Sequence, residues 1–226
     1  MLLPVHDAEE TLGESLDSVA RQTLEDHEVI VALNGCQDGS ADIARARAAA
    51  DPRVRLVYLD RTGLVPALNE GLEACCAPLV ARHDADDLMD PERLEHQLLS
   101  LERHPEWTVV TCGVRSTGVG TYEPGAGMLR HVQWLNGLTT PEDIRHARFI
   151  DAPVAHPAVM FRRHVVVQAG GYRDGDFPED HELWLRLLEQ GALMGRVPPV
   201  LVDWRDRAER FTRTDPRCRD EARRAL

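Results

Sequence analysis

The order of apolar and polar positions divides the first half of the chain into alternating strands and helices. Short apolar runs bounded by turn residues predict strands, and apolar residues spaced three and four positions apart predict amphipathic helices. The predicted strands cover residues 2–5, 28–33, 54–59, 79–83 and 108–114. The predicted helices cover residues 10–22, 40–50, 64–76 and 90–104, with Ser40 and Asp90 as N-caps.

This order of elements predicts the fold class. A strand followed by a helix, repeated along the chain, is typical of an α/β protein with a mostly parallel sheet and helices on both faces. Ligands of such sheets bind beyond the carboxyl ends of the strands. Residues 34–39 and 84–87 each follow a predicted strand, so we expect both turns to lie at that edge.

The pattern becomes less regular after Val114. Residues 115–127 are rich in Gly, Ser and Thr and predict a flexible loop. Further on, the spacing predicts helices at 141–149, 164–169 and 180–190, and strands at 158–161 and within 192–202. From Arg205 to the last residue the chain is polar and rich in arginine, which predicts a solvated tail.

Composition and charge narrow the classes of function. The 226 residues, 43% of them hydrophobic, suffice for one large domain with its own core. The net charge of −12 argues against nucleic-acid binding, which needs a basic surface. It is compatible with a nucleotide ligand, because one divalent cation neutralises a pyrophosphate locally. The sequence contains no lysine, which excludes Schiff-base and P-loop lysine chemistry.

The cysteines and the apolar runs predict the compartment. The five cysteines are odd in number and lack a C-x-x-C spacing, which favours a reducing compartment. No apolar run reaches the length of about 18 residues that indicates a transmembrane helix, and the N-terminus lacks the basic start of a signal peptide. We therefore expect a cytoplasmic protein without a transmembrane segment.

Three carboxylates are crowded into the turn after the fourth predicted strand. Asp84, Asp86 and Asp87 repel one another unless something compensates their charge. Mg²⁺ or Mn²⁺ does so with one or two carboxylates and the oxygens of a phosphate. The alternative is a solvated turn that caps a helix, but Asp90 before Pro91 already fills that role. The cluster therefore predicts a metal site.

A second acidic pair, Glu179 and Asp180, precedes the amphipathic helix at 180–190. Acidic residues are favoured there by the helix dipole alone, which is the simpler explanation. The alternative is a general base at the mouth of a site. Constrained neighbours, Gly170-Gly171-Tyr172 and Phe177-Pro178, favour that second explanation.

Several segments, taken in order, resemble the inverting glycosyltransferases of family 2, which have the GT-A fold. Residues 4–12 and 15–23 resemble the family's opening strand, turn and first helix. Residues 81–87 and 91–94 resemble its DxD motif and the helix that follows. Residues 156–163, 170–172 and 179–186 resemble its acceptor half. The chain lacks the Q-x-x-R-W motif of processive members, so it is most similar to non-processive bacterial ones.

The resemblance implies an activity and a division of the chain. The enzyme would move a sugar from a nucleotide-diphosphate donor to an acceptor hydroxyl, in one displacement with inversion, as in cell-surface polysaccharide biosynthesis. Residues 1–114 would form the nucleotide-sugar-binding half. Residues 115–204 would form the half that binds the acceptor and supplies the base, within the same GT-A domain. Residues 205–226 would be the tail.

The resemblance also implies roles for individual residues. Asp86 would ligate Mn²⁺ or Mg²⁺ at the diphosphate, and Asp84 would contact the nucleotide. Asp180 would deprotonate the acceptor hydroxyl, with Glu179 beside it. The other residues of the nucleotide pocket would be Pro4, His6, Glu9 and Asn34.

Two positions depart from the family's pattern. Leu33-Asn34 stands where an acidic pair is usual, and Asn offers a donor as well as an acceptor, which leaves the preferred base open. Leu68 precedes Asn69 where the family often has Arg, so one phosphate contact is lost unless Arg61 replaces it.

Some conspicuous residues have simpler explanations. Trp184 is expected in the core, and His83 and His156 are expected to be structural. The arginines of the tail would form a solvated face, or else close over the diphosphate or touch anionic lipid at the inner face of the membrane; they include Arg205, Arg207, Arg210 and Arg213.

Two other functions stay open at this point. A sugar-nucleotide pyrophosphorylase shares the α/β layout, although residues 2–12 lack the Gly-rich, basic phosphate loop that usually opens such enzymes. A degenerate module that holds a nucleotide without transfer fits the departures at Asn34 and Leu68. The sequence leaves the donor sugar unspecified, and it leaves open whether the acceptor is a glycan or a lipid-linked glycan.

Overall fold

The computed structural model describes residues 1–59 and 62–207. The strands within these ranges are β1 (Leu2–Val5), β2 (Val29–Leu33), β3 (Val54–Tyr58), β4 (Leu79–Ala81), β5 (Leu88–Met89), β6 (Trp107–Gly118), β7 (Val159–Arg162) and β8 (Leu193–Asp206). The helices are α1 (Leu12–Ala20), α2 (Ser40–Ala50), α3 (Leu64–Ala74), α4 (Arg93–Arg103), α5 (Ala126–Gly137), α6 (Pro141–Ala147), α7 (Arg163–Gln168) and α8 (Glu179–Glu189). A single 3-10 turn, His156–Ala158, precedes β7.

The first three strands form a parallel sheet in the order β1-β2-β3. Successive side chains of a strand point to opposite faces, and here both faces are covered. Leu3 and Val31 pack in the core cluster that contains the buried side of α1. Leu2 and Ile30 pack on the opposite face with the buried side of α3. This double burial explains why β1 and β2 are continuous apolar runs in the sequence.

The second sheet has the order β4-β7-β6-β8-β5 and is mixed. Strand β7 lies between β4 and β6 and is antiparallel to both, while β6 and β8 are parallel. A bridge between Leu2 and Arg82 joins the two sheets at β1 and the end of β4. The predicted α/β class is confirmed, but the parallel order stops at this junction. Apolar periodicity carries no information about the direction of a neighbouring strand.

The predicted loop at 115–127 is wrong over its first part. Strand β6 continues to Gly118 because residues 114–118 pair in register with residues 202–206 of β8. Ser116, Thr117 and Gly118 of the predicted loop therefore belong to a long pair of strands formed by β6 and β8. Helix α5 then begins at Ala126, and its weak apolar pattern explains why the sequence did not predict it.

The pairing of β6 with β8 also shows that the prediction of a tail beginning at Arg205 is wrong at its start. Strand β8 runs to Asp206 rather than ending near Val202, and Arg205 is buried rather than solvated. Arg61, Arg210 and Arg213, for which the sequence offered interpretations, lie outside the described residues.

Two predicted N-caps have other roles. Helix α2 already includes Ser40, whose hydroxyl accepts a hydrogen bond from the Ala8 amide (2.8 Å) and so ties α2 to the turn after β1. Helix α4 begins at Arg93, and Asp90 instead accepts a hydrogen bond from the Glu92 amide (3.0 Å). Leu68 and Trp184 are fully buried, so Leu68 has no access to a phosphate. Across the described residues, each helix is too short or too polar to cross a lipid bilayer.

The turn at Gly170-Gly171 joins the two halves of the fold through Asn69. The Asn69 amide nitrogen donates to the Tyr172 carbonyl (2.8 Å), and its oxygen accepts from the Tyr172 amide (2.9 Å). Gly171 has φ +67°, and a Cβ there would lie 2.6 Å from the Asn69 oxygen. Only glycine satisfies both the backbone angle and this close approach.

We predict that Gly171→Ala lowers the free energy of unfolding by about 1–3 kcal/mol, because a strained left-handed angle is combined with a clash. Urea unfolding measures the change. Gly137→Ala is the matched control, since a Cβ there meets open space at the end of α5. Equal losses in the two variants would contradict this account of the turn.

Candidate active site

The carboxyl ends of β1, β2 and β4 open onto one cavity of about 990 Å³. Its other walls come from α5, from residues 151–157, from the start of α8 and from the end of β8. The edge of the parallel sheet at which we expected a ligand to bind is therefore also the edge that faces the second half of the chain. The cavity is lined by most of the predicted site residues, namely Pro4, His6, Asn34, Asp84, Asp86, Glu179 and Asp180.

Asn34 organises the part of the cavity that lies beyond β2. Its side-chain oxygen accepts a hydrogen bond from the Gly63 amide (2.6 Å), which fixes the start of α3. Its backbone oxygen lies 2.7 Å from Nδ1 of His6, so that ring nitrogen carries the proton and donates. His6 is largely exposed toward the cavity, with Nε2 3.8 Å from the Asp7 carboxylate.

Glu9 occupies a different place from the one predicted. Glu9 is not among the described residues that line the cavity. Its carboxylate accepts a hydrogen bond from the Gly39 amide (2.7 Å), and its own amide donates to Asp38 (2.9 Å). Glu9 thus holds the turn after β2 against the turn after β1, which supports the cavity wall from behind.

The acidic turn is built on a buried arginine. The Arg82 side chain is 3% exposed and pairs with the Asp84 carboxylate, which is 30% exposed. Burial works against the charge of Arg82, but Asp84 outweighs it, so the pKa of Arg82 is raised and the guanidinium stays charged. The role of Arg82 was not predicted from the sequence, although it stands only two residues before Asp84.

Helix α1 fixes the backbone of the acidic turn. The Ser15 hydroxyl donates to the Asp84 carbonyl (3.0 Å), and the Thr11 hydroxyl donates to the Ala85 carbonyl (3.1 Å). Both hydroxyls are buried, so the turn is held by contacts shielded from water. The two carboxylates that line the cavity are therefore presented from a rigid backbone.

The three carboxylates of this turn have different environments. Oxygen atoms of Asp84, Asp86 and Asp87 lie within 4.8 Å of one another, which suits a divalent cation. Asp87 is fully buried and accepts a hydrogen bond from the Arg205 amide (2.7 Å), so it secures β8. Asp84 and Asp86 line the cavity and are the accessible pair. Hard carboxylate oxygens are the ligands that Mg²⁺ and Mn²⁺ prefer, so these two residues fit the metal.

The end of β8 adds positive charge beside the turn. The Arg205 side chain donates to the Asp86 carbonyl and pairs with Glu14 (2.5 Å). Arg207 lines the cavity, with its Nε 3.7 Å from the Asp86 carboxylate. The sequence had placed both arginines in a tail, because nothing local shows that this segment pairs with β6.

Asp180 lies at the first turn of α8, facing the cavity. Burial raises the pKa of its carboxyl, and the nearby Asp151 carboxylate acts in the same direction. A hydrogen bond from the His181 amide (2.8 Å) opposes the rise only in part. A raised pKa brings a carboxylate closer to the proton affinity that a general base needs near neutral pH.

His156 and Tyr172 form the floor behind Glu179. The His156 Nε2 lies 2.9 Å from the Tyr172 hydroxyl, and Nδ1 lies 3.9 Å from a Glu179 oxygen. Burial lowers the pKa of His156 and raises the pKa of Tyr172, so both are neutral. The neutral imidazole and the neutral hydroxyl therefore share one hydrogen bond through Nε2, while Nδ1 faces Glu179. His83 and His156 were both predicted to be structural: His83 is fully buried beside Arg93, whereas His156 lines the cavity.

The family model of glycosyl transferase family 2 matches residues 1–170. The chain belongs to this family. The family 2 chain is similar in sequence to the following two relatives. The amylovoran biosynthesis glycosyltransferase AmsE of Erwinia amylovora is 34% identical over 194 residues, which are 85% of this chain and 70% of the relative. An Escherichia coli UDP-Gal:alpha-D-GlcNAc-diphosphoundecaprenol beta-1,3-galactosyltransferase is 28% identical over 207 residues, which are 91% of this chain and 72% of the relative.

A solved structure confirms the fold of the family 2 chain. The mannosyltransferase PcManGT from Pyrobaculum calidifontis, in complex with GDP-Man and Mn²⁺, superposes with a TM-score of 0.70 at 19% identity. The alignment covers 94% of this chain and 58% of that one, so this chain spans less than two thirds of its structural neighbour. The likeness shows the GT-A architecture.

We predict that Asp180→Asn stabilises this family 2 chain near neutral pH. The raised pKa means that folded Asp180 holds its proton more tightly than the unfolded chain does. Its ionised form therefore lowers the free energy of unfolding above the folded pKa, and this effect vanishes below the unfolded pKa of about 3.9.

Urea unfolding of both proteins at about pH 7 and about pH 4 measures this difference, which should shrink at the lower pH. Asp26→Asn, at an exposed position outside the cavity, is the control and should leave the free energy of unfolding nearly unchanged. A stability gain that is the same at both pH values would disprove the burial of the Asp180 charge.

Proposed function

We propose that this chain is a glycosyltransferase that moves a sugar from a nucleotide-diphosphate donor to an acceptor hydroxyl with inversion at the anomeric carbon. One observation carries the proposal. Asp84 and Asp86, from the first half, and Asp180, from the second half, line the same cavity. A metal-binding pair and a base on opposite walls suit a donor and an acceptor that meet between them.

The donor's nucleotide would occupy the side of the cavity formed by the ends of β1 and β2. Pro4, His6 and Asn34 line this side. Two similar proteins support a nucleotide-sugar donor, since a structural neighbour is in complex with GDP-Man and a relative is named as a UDP-Gal enzyme. Because the Asn34 oxygen is already engaged by Gly63, its amide N–H groups are the ones left to contact a base.

Asp86, with Asp84 beside it, would hold Mn²⁺ or Mg²⁺. The bound cation would stabilise the negative charge of the departing diphosphate as a Lewis acid. The neighbour's Mn²⁺ supports this choice of ligand class. Arg82 and Arg207 would add fixed positive charge on either side of the two carboxylates.

Asp180 would act as the general base. It takes the proton from the acceptor hydroxyl while that oxygen bonds to the anomeric carbon and the bond from that carbon to the diphosphate breaks. The proton ends on the Asp180 carboxylate, whose raised pKa suits this acceptance. Glu179, against His156, would position the start of α8. A single displacement of this kind inverts the anomeric carbon.

The two halves of the chain would have different roles in the reaction. Residues 1–114 would bind the donor, and residues 115–204 would bind the acceptor and supply the base. One relative is an amylovoran biosynthesis glycosyltransferase, and another is a galactosyltransferase named for a diphosphoundecaprenol-linked sugar. We therefore propose a lipid-linked saccharide as the acceptor and a cytoplasmic protein that acts at the inner face of the membrane.

We predict that Asp86→Ala removes the metal-dependent part of nucleotide binding. In the unsubstituted protein, UDP or GDP with Mn²⁺ should raise the melting temperature by mass action. In the variant, the difference between samples with and without Mn²⁺ should fall close to zero. Asp26→Ala, outside the cavity, is the control. An undiminished Mn²⁺ effect in Asp86→Ala would refute the assignment of the metal ligand.

We predict that Asp180→Asn keeps nucleotide binding and lowers transfer by about 10²–10⁴-fold, the usual contribution of a general base. The measurement is release of nucleoside diphosphate from UDP- and GDP-sugars in the presence of polyprenyl-diphosphate saccharides. Normal binding with lost transfer separates a transferase from a module that only holds nucleotides. Retained transfer would remove Asp180 from the role of base.

A further inference from the structure

An exposed apolar turn lies at the mouth of the cavity. Phe149 and Ile150 are 71% and 74% exposed, the highest values among the large hydrophobic side chains that the structure describes. They are adjacent in the turn that follows α6. The next two residues, Asp151 and Ala152, already line the cavity. Exposure of two neighbouring large apolar side chains costs solubility, and it marks an interaction site when it adjoins a ligand cavity.

Basic side chains accompany the two exposed apolar residues. Residues 144–150 contain Arg145, His146 and Arg148 and no acidic residue, and the acidic neighbours are Glu142 and Asp143 before this stretch and Asp151 after it. Arg148 lies over the Phe149 ring, 4.1 Å from its centroid, and Arg145 is exposed. The nearest upstream carboxylate, Asp143, is bonded to Thr140 in the capping box of α6. Positive side chains flanking exposed apolar ones complement an anionic lipid surface.

The turn is also connected to the proposed base. The His181 ring donates from Nε2 to the Arg148 carbonyl (2.8 Å), and His181 directly follows Asp180 on α8. On the other side of the turn, Asp151 pairs with His131 of α5, with 3.8 Å between the ring nitrogen and the carboxylate. The turn is therefore supported from α8 and α5, both of which line the cavity.

We propose that Phe149 and Ile150 insert into the interface of an anionic lipid bilayer, with Arg145 and Arg148 facing the lipid phosphates. The cavity would then open at the membrane surface, with Asp180 close to the hydroxyl of a lipid-linked saccharide. This inference rests on the proposed function only in its choice of acceptor. Two signals are needed for stable membrane attachment, and the turn supplies both an apolar insertion and a basic contact.

Vesicle co-sedimentation of the full chain tests this proposal. Vesicles of phosphatidylcholine with phosphatidylglycerol should bind the protein more strongly than vesicles of phosphatidylcholine alone. The double variant Phe149→Ser, Ile150→Ser should bind the anionic vesicles at least about tenfold more weakly, because it removes the inserted apolar surface. Arg145→Gln with Arg148→Gln should remove most of the preference for phosphatidylglycerol, about fivefold for each arginine.

The matched control is Val167→Ser with Leu193→Ser, which removes two other exposed apolar side chains and should leave vesicle binding unchanged. Nucleotide binding with Mn²⁺ and the melting temperature should be equal in all four proteins, which shows that the variants fold. This readout also separates the two proposals, since loss of nucleotide binding bears on the transferase alone.

Two outcomes would overturn the membrane proposal. One is vesicle binding that is absent in the unsubstituted chain or unaffected by the Phe149 and Ile150 substitutions. The other is a concentration-dependent dimer, seen by analytical ultracentrifugation, that the same double variant converts to monomer. That second result would make the turn an interface between copies of this chain.

Discussion

The buried charge of Arg82 is the constraint on which the rest of the site depends. Its backbone bridges to Leu2 and so joins the two sheets, and its guanidinium requires a carboxylate close by because it is removed from water. Asp84 provides that carboxylate and is thereby fixed at the cavity wall. Arg93, also fully buried, donates to the Arg82 carbonyl (2.8 Å) and holds the junction from below. The site thus begins where the fold joins its halves.

The same junction explains how one acidic turn serves several purposes. Asp84 neutralises Arg82, Asp87 secures the end of β8, and Asp86 is left facing the cavity beside Arg207. The opposite wall follows a similar logic, since burial shapes the proton affinity of Asp180 while His156 and Tyr172 support the helix start. Carboxylates close together in sequence therefore differ in chemistry because their surroundings differ.

Much of the site was predictable because it lies at the ends of strongly patterned elements. The apolar strands at 2–5 and 29–33 end where the sequence indicated, β4 ends two residues before the predicted end at His83, and parallel strands bring their carboxyl ends to one edge. Asn34, Asp84 and Asp86 therefore reach the cavity. Glu9 does not, because its carboxylate accepts a hydrogen bond from the Gly39 amide outside the cavity. Local spacing places a residue near an edge but does not say which hydrogen bond it makes.

By itself, the sequence determined the α/β class, the order of elements in the first half and the position of the acidic turn that lines the cavity, since these follow from local periodicity and turn chemistry. Only the tertiary structure decided the antiparallel insertion of β7, the extension of β6 and β8, and the burial of Arg82 and Arg205. The physical reason is the separation along the chain between the residues that interact. Pairing between distant strands and the desolvation of a charge depend on partners far away in the chain, and no local pattern records them.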